Sequence, residues 1–454
     1  MKYVLTLLVF LNFYSSIYSQ DEKRFVLPQD VIESIENRIE NGANPSIAIA
    51  LIDDKGTSYF NFGKTKADGK EVDEHSIYEI GSISKTFTAV LLAQQVLDKD
   101  LELTTEVNAL LSPVLEIPTL GQGQVTLGSL SDHTSGLPAM PDNFNPKDPT
   151  NPYADYSVDQ MYSFLRSYEP IREVGSAYEY SNLAQGLLGH LLAEEKEMSY
   201  EDLMIKVIAE PLGMGETKLI FTPEMMTNLA YGYSGGEEVS NWDIPTLAGA
   251  GAIRSSTADM SKYIGANLGY VDSSLKEAME LSHEVRHSKA GEMSVGLGWH
   301  IRKGSQGDVI WHNGGTGGYR AFAGFVKETG RGVVILTNSS ESVDDLGFRL
   351  LDPALELSKV KTTSDAVKVS EAILASYVGE YELQPGFSIT ITQQGDQLFG
   401  QATGQSQFEL FAQSETRFFL TLVKAEISFQ LEDSEVKSLT LFQGGQEILA
   451  KKIK

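Results

Sequence analysis

Ser82 and Lys85 stand three residues apart at the head of a long apolar segment. Read as helix, that spacing puts an amine one turn above a hydroxyl. A helix start also offers free N–H groups and partial positive charge where an oxyanion would develop. An ammonium buried there loses solvation, so its pKa falls from about 10.4 and the free amine can serve as a base. The chemistry that follows is nucleophilic catalysis, with a serine attacking a carbonyl and carrying the acyl group. The same S-x-x-K spacing recurs at Ser273/Lys276, Ser358/Lys361 and Ser434/Lys437, but in polar or strand-like stretches that read as surface. Of the four, only Ser82 follows a glycine, Gly81, and opens an apolar run.

The run Tyr78-Glu79-Ile80-Gly81-Ser82-Ile83-Ser84-Lys85 resembles the active-site octapeptide of class C β-lactamases and of their relatives among D,D-carboxypeptidases and esterases. Two further motifs follow in that family's order. Tyr180-Ser181-Asn182 matches Y-x-N, and His312-Asn313-Gly314 stands where those enzymes carry K-T-G or H-x-G. Ser131-Asp132-His133-Thr134-Ser135-Gly136-Leu137-Pro138 is similar to a loop of the same family, and the likeness covers most of residues 30–355. It implies that Ser82 is the nucleophile and that Lys85 with Tyr180 shuttles its proton to the leaving group, a tyrosinate at 180 being stabilised by Lys85. It implies too that Asn182 hydrogen-bonds the substrate amide and that the backbone N–H groups of Ser82 and Gly315 form an oxyanion hole. Gly314 and Gly315 open a glycine-rich run, 314–318, along which substrate backbone can lie close.

One position departs from the class C pattern. Those enzymes hold a permanent Lys cation where His312 stands, and it anchors the carboxylate of the drug. A histidine with an ordinary pKa of about 6.5 is mostly neutral at neutral pH, so the anchor weakens. This moves weight from β-lactams toward D-amino acid peptides and esters. A second reading, a penicillin-recognising sensor that is acylated without turnover, is disfavoured by Tyr180, since a sensor needs no efficient deacylation base. No cofactor is implied, and the partner expected is a small-molecule or peptide substrate.

The elements that must position these residues follow from periodicity. Val31, Ile32, Ile35 and Ile39 repeat at helical spacing, residues 46–52 are β-rich, and Asp53-Asp54-Lys55-Gly56 turns the chain into a second strand. Residues 86–97 are apolar on nearly every face, as in a helix buried inside a large domain. Helices are expected at 159–168, 183–196, 200–208 and 257–268, and strands at 298–302, 309–312, 319–326 and 332–337. Strands at both ends of this region with helices between them predict one mixed sheet holding a helical insert. The expected class is α/β, a β-lactamase-type antiparallel sheet flanked by helices with a helical subdomain, over residues 28–356. Residues 357–370 read as a linker. Residues 371–454 read as a small all-β, barrel-like domain, and Tyr377-Val378-Gly379-Glu380-Tyr381 with the strand rhythm resembles lipocalin-like C-terminal domains.

At 454 residues the chain is long enough for two domains, and a net charge of −26 would repel nucleic acid and anionic lipid. Lys2, the apolar run 3–13 and the small residues around Ser19 read as a signal peptide, 1–19, which implies an exported protein, periplasmic or secreted, with no stable membrane span once it is cleaved. The absence of Cys excludes disulfides, thiolate chemistry and lipidation through Cys. Two other motifs read as decoys. His283-Glu284-Val285-Arg286-His287 matches H-E-x-x-H, but Arg286 separates the histidines and no third ligand is evident. Gly232-Tyr233-Ser234-Gly235-Gly236 matches a nucleophile elbow, but a polar loop follows it, so it reads as a turn. His75, His190 and His300 default to structural roles, and His133 to scaffold near the site.

Overall fold

The computed structural model describes residues 25–288, 293–358, 366–384, 387–403, 407–420, 425–432, 435–443 and 446–454. The expected signal segment 1–19, residues 359–365 of the expected linker, and Ser434 and Lys361 of the alternative S-x-x-K pairs lie outside the described residues.

The first strand shows why the sheet needs two covers. In Ser46–Asp53 (β1), Ile47, Ile49 and Leu51 belong to one apolar cluster, while Ala48, Ala50 and Ile52 belong to another. Side chains alternate across a strand, so both faces of β1 must be packed. β1 pairs on one side with Gly56–Gly63 (β2), across the expected turn, and on the other with a strand near the end of the region. The remaining strands are His287–Ser288 (β3), Met293–Val295 (β4), His300–Gly304 (β5), Gly307–Gly315 (β6), Arg320–Val326 (β7) and Arg331–Thr337 (β8). Their order is β2-β1-β8-β7-β6-β5-β4-β3, antiparallel at every step.

Gln29–Glu40 (α1) covers the outer face with a helix that comes last in this region, burying Val31 and Ile35 against Ile47, Phe322, Ile335 and Leu346. Arg38, itself buried, ties the two together through Asp345 (2.6 Å) and the Ser342 carbonyl (2.8 Å). The inner face carries Ser84–Leu97 (α2), Asn182–Glu195 (α3) and Thr257–Asn267 (α4), with Asp344–Leu351 (α5) being the outer helix just mentioned. α2 is buried on all sides, as its composition predicts, and Phe87 stacks on Tyr263 of α4 at 4.1 Å. The helical insert between β2 and β3 therefore surrounds α2, which begins two residues after Ser82.

Ser82 itself does not open the α-helix, as the sequence suggests. It sits in a single 3-10 turn, Gly81–Ile83, that leads into α2. Both decoy motifs resolve structurally. The helix Lys276–Ser282 ends before His283, whose Nε2 meets Asn267 Oδ1 at 2.8 Å, and Arg286 turns away to Asp132. Tyr233–Ser234 pairs with Glu237–Glu238, and Gly235 and Gly236, both at positive φ, make the hairpin turn between them.

The C-terminal region is a closed eight-stranded barrel whose first strand, Gly379–Gln384, pairs with its last, Gln446–Lys452. An interior of that size is just wide enough for side chains or one small ligand. The helix Glu371–Tyr377 plugs it, with Tyr377 stacked on Phe429 at 4.1 Å beside Phe418 and Tyr381.

Candidate active site

From Ser76 to Ala93 every residue is buried except Ser82. Tyr78–Glu79 pairs with Arg254–Ser255, and Ile80 N–H donates to the Ile253 carbonyl at 3.0 Å, so the chain reaches Gly81 under fixed geometry. Two glycines then let the turn that holds Ser82 lie directly on β6. Gly81 has φ +51°, and a Cβ there would come within 2.5 Å of Gly315 N. A Cβ on Gly314 would sit 1.9 Å from the Ile80 carbonyl oxygen and 3.1 Å from Ser82 N. Only glycine permits that approach, and it sets Ser82 beside Gly315. Pairing of β6 with β5 ends at Trp311↔His300, so among the described residues the His312–Gly315 edge has no strand partner on that side.

Lys85 is fully buried, and its Nζ touches three oxygens: Ser82 Oγ at 2.9 Å, Asn182 Oδ1 at 2.8 Å and the Ala250 carbonyl at 2.7 Å. Desolvation holds its pKa well below the ordinary lysine range. The partners then decide the direction of each bond. Amide and carbonyl oxygens can only accept, so they take the two N–H bonds of the free amine. The remaining lone pair faces Ser82, the one partner able to donate. In its free-amine form Lys85 would thereby face the serine hydroxyl.

Ser181 caps α3, its Oγ accepting the Ala184 N–H at 2.9 Å, which puts Asn182 at the first helical position and Tyr180 just before the cap. The Tyr180 ring lies 4.7 Å from Lys85 Nζ. Burial of the phenol pushes its pKa up, and its hydrogen bond with Ser82 only partly opposes this. The tyrosinate expected from the sequence is therefore not the form the site favours: an NH2 on Lys85 and an OH on Tyr180 avoid two charges in a desolvated space.

His312 is buried beside this pair. Its Nδ1 meets the Asn313 carbonyl at 2.5 Å, and a carbonyl only accepts, so Nδ1 carries the proton. Burial, then His300 and Lys85, hold the ring well below the ordinary histidine pKa, so it is neutral, as its type suggests. Two residues assigned to scaffold by sequence join the cluster. His300 lies 4.7 Å from His312 and 6.4 Å from Tyr180, and His133 lies 4.7 Å from Tyr180, centroid to centroid. His300 arrives through the β5–β6 register and Ala250 through a backbone carbonyl, neither of which leaves a mark in residue spacing. Tyr153 and Trp242, 5.4 Å apart, pack beside the site.

Comparison with known proteins turns this geometry into kinship. Residues 31–354 match the Beta-lactamase family model. The chain belongs to the Beta-lactamase family. Residues 363–452 match a second model, described as a domain of unknown function, DUF3471. Penicillin-binding protein 4* of Bacillus subtilis (strain 168) is 26% identical over 422 residues, covering 86% of this chain and 90% of the relative. A β-lactamase of Escherichia coli (strain K12) is 25% identical, covering 70% of this chain and 91% of its own length. Among solved structures, a β-lactamase/D-alanine carboxypeptidase from Pseudomonas syringae superposes with a TM-score of 0.63 at 21% identity, over 70% of this chain and 97% of that one. The octameric penicillin-binding protein homologue from Pyrococcus abyssi reaches 0.63 at 23% identity over 93% and 99%. At such identities the structures show the fold, which is the expected one: a mixed α/β unit of Beta-lactamase type followed by a barrel.

Proposed function

We propose that this Beta-lactamase family member is an exported serine hydrolase that cleaves an amide or ester through an acyl-enzyme on Ser82. The observation that carries the reading is the set of three oxygens around buried Lys85 Nζ, of which Ser82 Oγ alone can donate a proton to it. As Oγ attacks the substrate carbonyl carbon, its proton passes to Lys85, and the oxygen that becomes negative lies between the N–H groups of Ser82 and Gly315. Neutral Tyr180 then works as a relay, giving its proton to the leaving atom while taking one from Lys85. Water reverses the sequence to release the acid. The signal-like residues 1–19 support export.

The substrate class follows from His312. A neutral ring supplies no fixed cation for a carboxylate, which favours neutral esters over efficient β-lactam hydrolysis. Intact-mass spectrometry after mixing with a β-lactam, a D-alanyl peptide and a chromogenic ester tests the scheme. A transient adduct on Ser82 with product release is expected. A lasting adduct without product would turn the reading to a sensor, and no adduct with any of the three would remove it.

Two measurements probe the electrostatics. His312→Lys should raise kcat/KM for a carboxylate-bearing β-lactam over a neutral ester by about tenfold, the worth of one charge-assisted contact. An unchanged ratio would show that position 312 does not meet the carboxylate. Acylation should also depend on pH in a definite sense. Protonated Lys85 is the inactive form and its pKa is lowered, so the rate rises with pH and levels off below the ordinary lysine range. Single-turnover rates still climbing near pH ~10 would mean an unperturbed lysine.

A further inference from the structure

Tyr180 stands on a stretch, 168–181, with no helix or extended strand to orient it, yet its hydroxyl has to meet Ser82. Something outside this stretch must hold it. His133 touches it on three counts. Its backbone carbonyl accepts the Glu179 N–H at 2.9 Å, its Nδ1 accepts the Ser181 N–H at 3.2 Å, and its ring packs on the Tyr180 ring at 4.7 Å, tilted by 36°. The residues immediately before and after Tyr180 therefore both bond to His133, while Ser181 Oγ also donates to the Pro138 carbonyl at 2.6 Å and Glu179 pairs with Arg172.

We propose that His133 is the positioning residue of Tyr180, clamping the chain on both sides of it so that the phenol is held against Ser82 and Lys85. The proposal rests on the reading of Tyr180 as the proton relay.

The clamp is itself well anchored. His133 is buried and has φ +62°, a left-handed conformation that few side chains adopt without cost. Asp132 fixes the loop at its base, accepting from Thr134 Oγ1 at 2.6 Å and from Arg286 Nε at 3.1 Å. The Ser131 carbonyl receives Gln185 Nε2 of α3 at 2.8 Å and the Gly298 N–H at 3.1 Å. The loop is thus tied to α3 and to the sheet. Because Nδ1 is the acceptor for Ser181, the ring must be neutral with its proton on Nε2. Burial, then Lys85 and His300, favour that state.

The acceptor can be separated from bulk and from backbone conformation. Asn tolerates positive φ and places Oδ1 where Nδ1 stands, whereas Gly tolerates the same backbone but offers no acceptor. His133→Gly should lose about 30-fold in kcat with KM nearly unchanged, and His133→Asn should stay within about threefold of wild type, since the loss comes from misplacing one group. In a Tyr180→Phe background the His133→Gly loss should vanish, which a general loss of stability would not produce. Crystal structures of both variants give a readout that does not need turnover: the Tyr180 ring should be displaced in His133→Gly and in place in His133→Asn. Equal loss in the two variants, full persistence of the loss without the Tyr180 hydroxyl, or an unmoved Tyr180 in His133→Gly would each overturn the proposal. Should His133→Gly not fold, an Asn variant with a displaced Tyr180 overturns it and one with an unmoved ring and wild-type rate supports it. A wild-type protein that forms no adduct on Ser82 overturns the functional reading alone, because the crystallographic comparison still decides the clamp.

Discussion

Ser82→Ala is expected to remove turnover of every substrate the protein hydrolyses, by a factor on the order of 10^4 or more, as in other enzymes stripped of a nucleophile. Fold and stability should hardly change. The hydroxyl is the only polar group removed, and Lys85 keeps its bonds to Asn182 and Ala250. Ser82 is also the one residue from Ser76 to Ala93 that is not buried, so truncation opens no closed cavity. The melting temperature should therefore match wild type within a few degrees, a shift of about 1 kcal/mol. Lys85→Ala should fall as far in rate, because the two act as one unit and their losses do not add. Steady-state kinetics with adduct mass spectrometry checks both; a Ser82→Ala protein that turns over at near the wild-type rate removes the assignment.

Gly314→Ala should damage fold and activity together, and by contact with backbone instead of chemistry. The added carbon would lie 1.9 Å from the Ile80 oxygen and 2.8 Å from the Ile80 carbonyl carbon. Neither neighbour is the end of a flexible side chain, so β6 or the nucleophile turn has to move. Overpacking of this kind costs about 2–4 kcal/mol. A shift of Gly315 relative to Ser82 separates the two N–H groups proposed as the oxyanion hole, an expected loss of about 100-fold in rate. Gly215→Ala is the matched control: nothing lies within 4 Å of the added carbon. Denaturation midpoints and kcat for the two variants settle the point, and a Gly314→Ala protein with wild-type values of both would refute the close packing of β6 on the turn.

These two expectations differ in where their information lies. Gly81, Ser82 and Lys85 are near neighbours in the chain, and their relation is short-range: a turn, three residues and an apolar run. The same holds for β1 and its hairpin with β2, for buried α2, for the helix that follows Tyr180 and for the strand rhythm of the barrel, all of which periodicity and turn chemistry make legible. Most element ends shifted by a residue or two, β6 runs on from the expected 312 to Gly315, and Ser82 came to lie on a 3-10 turn, because backbone hydrogen bonds to Ile253 and packing on Gly315 shape that corner.

Residue order and periodicity thus specify the layers of the fold and offer the serine, lysine, tyrosine and histidine proposed for this chemistry. Their assembly belongs to the tertiary structure. It was strand register that put His300 beside His312, a loop clamp that put His133 against Tyr180, and a backbone carbonyl, Ala250, that turned the Lys85 lone pair toward Ser82. It was burial, too, that left Tyr180 a phenol instead of a phenolate. Contacts between residues far apart in the chain, and the desolvation they bring, have no period in the sequence. They exist only once the sheet and helices close around α2.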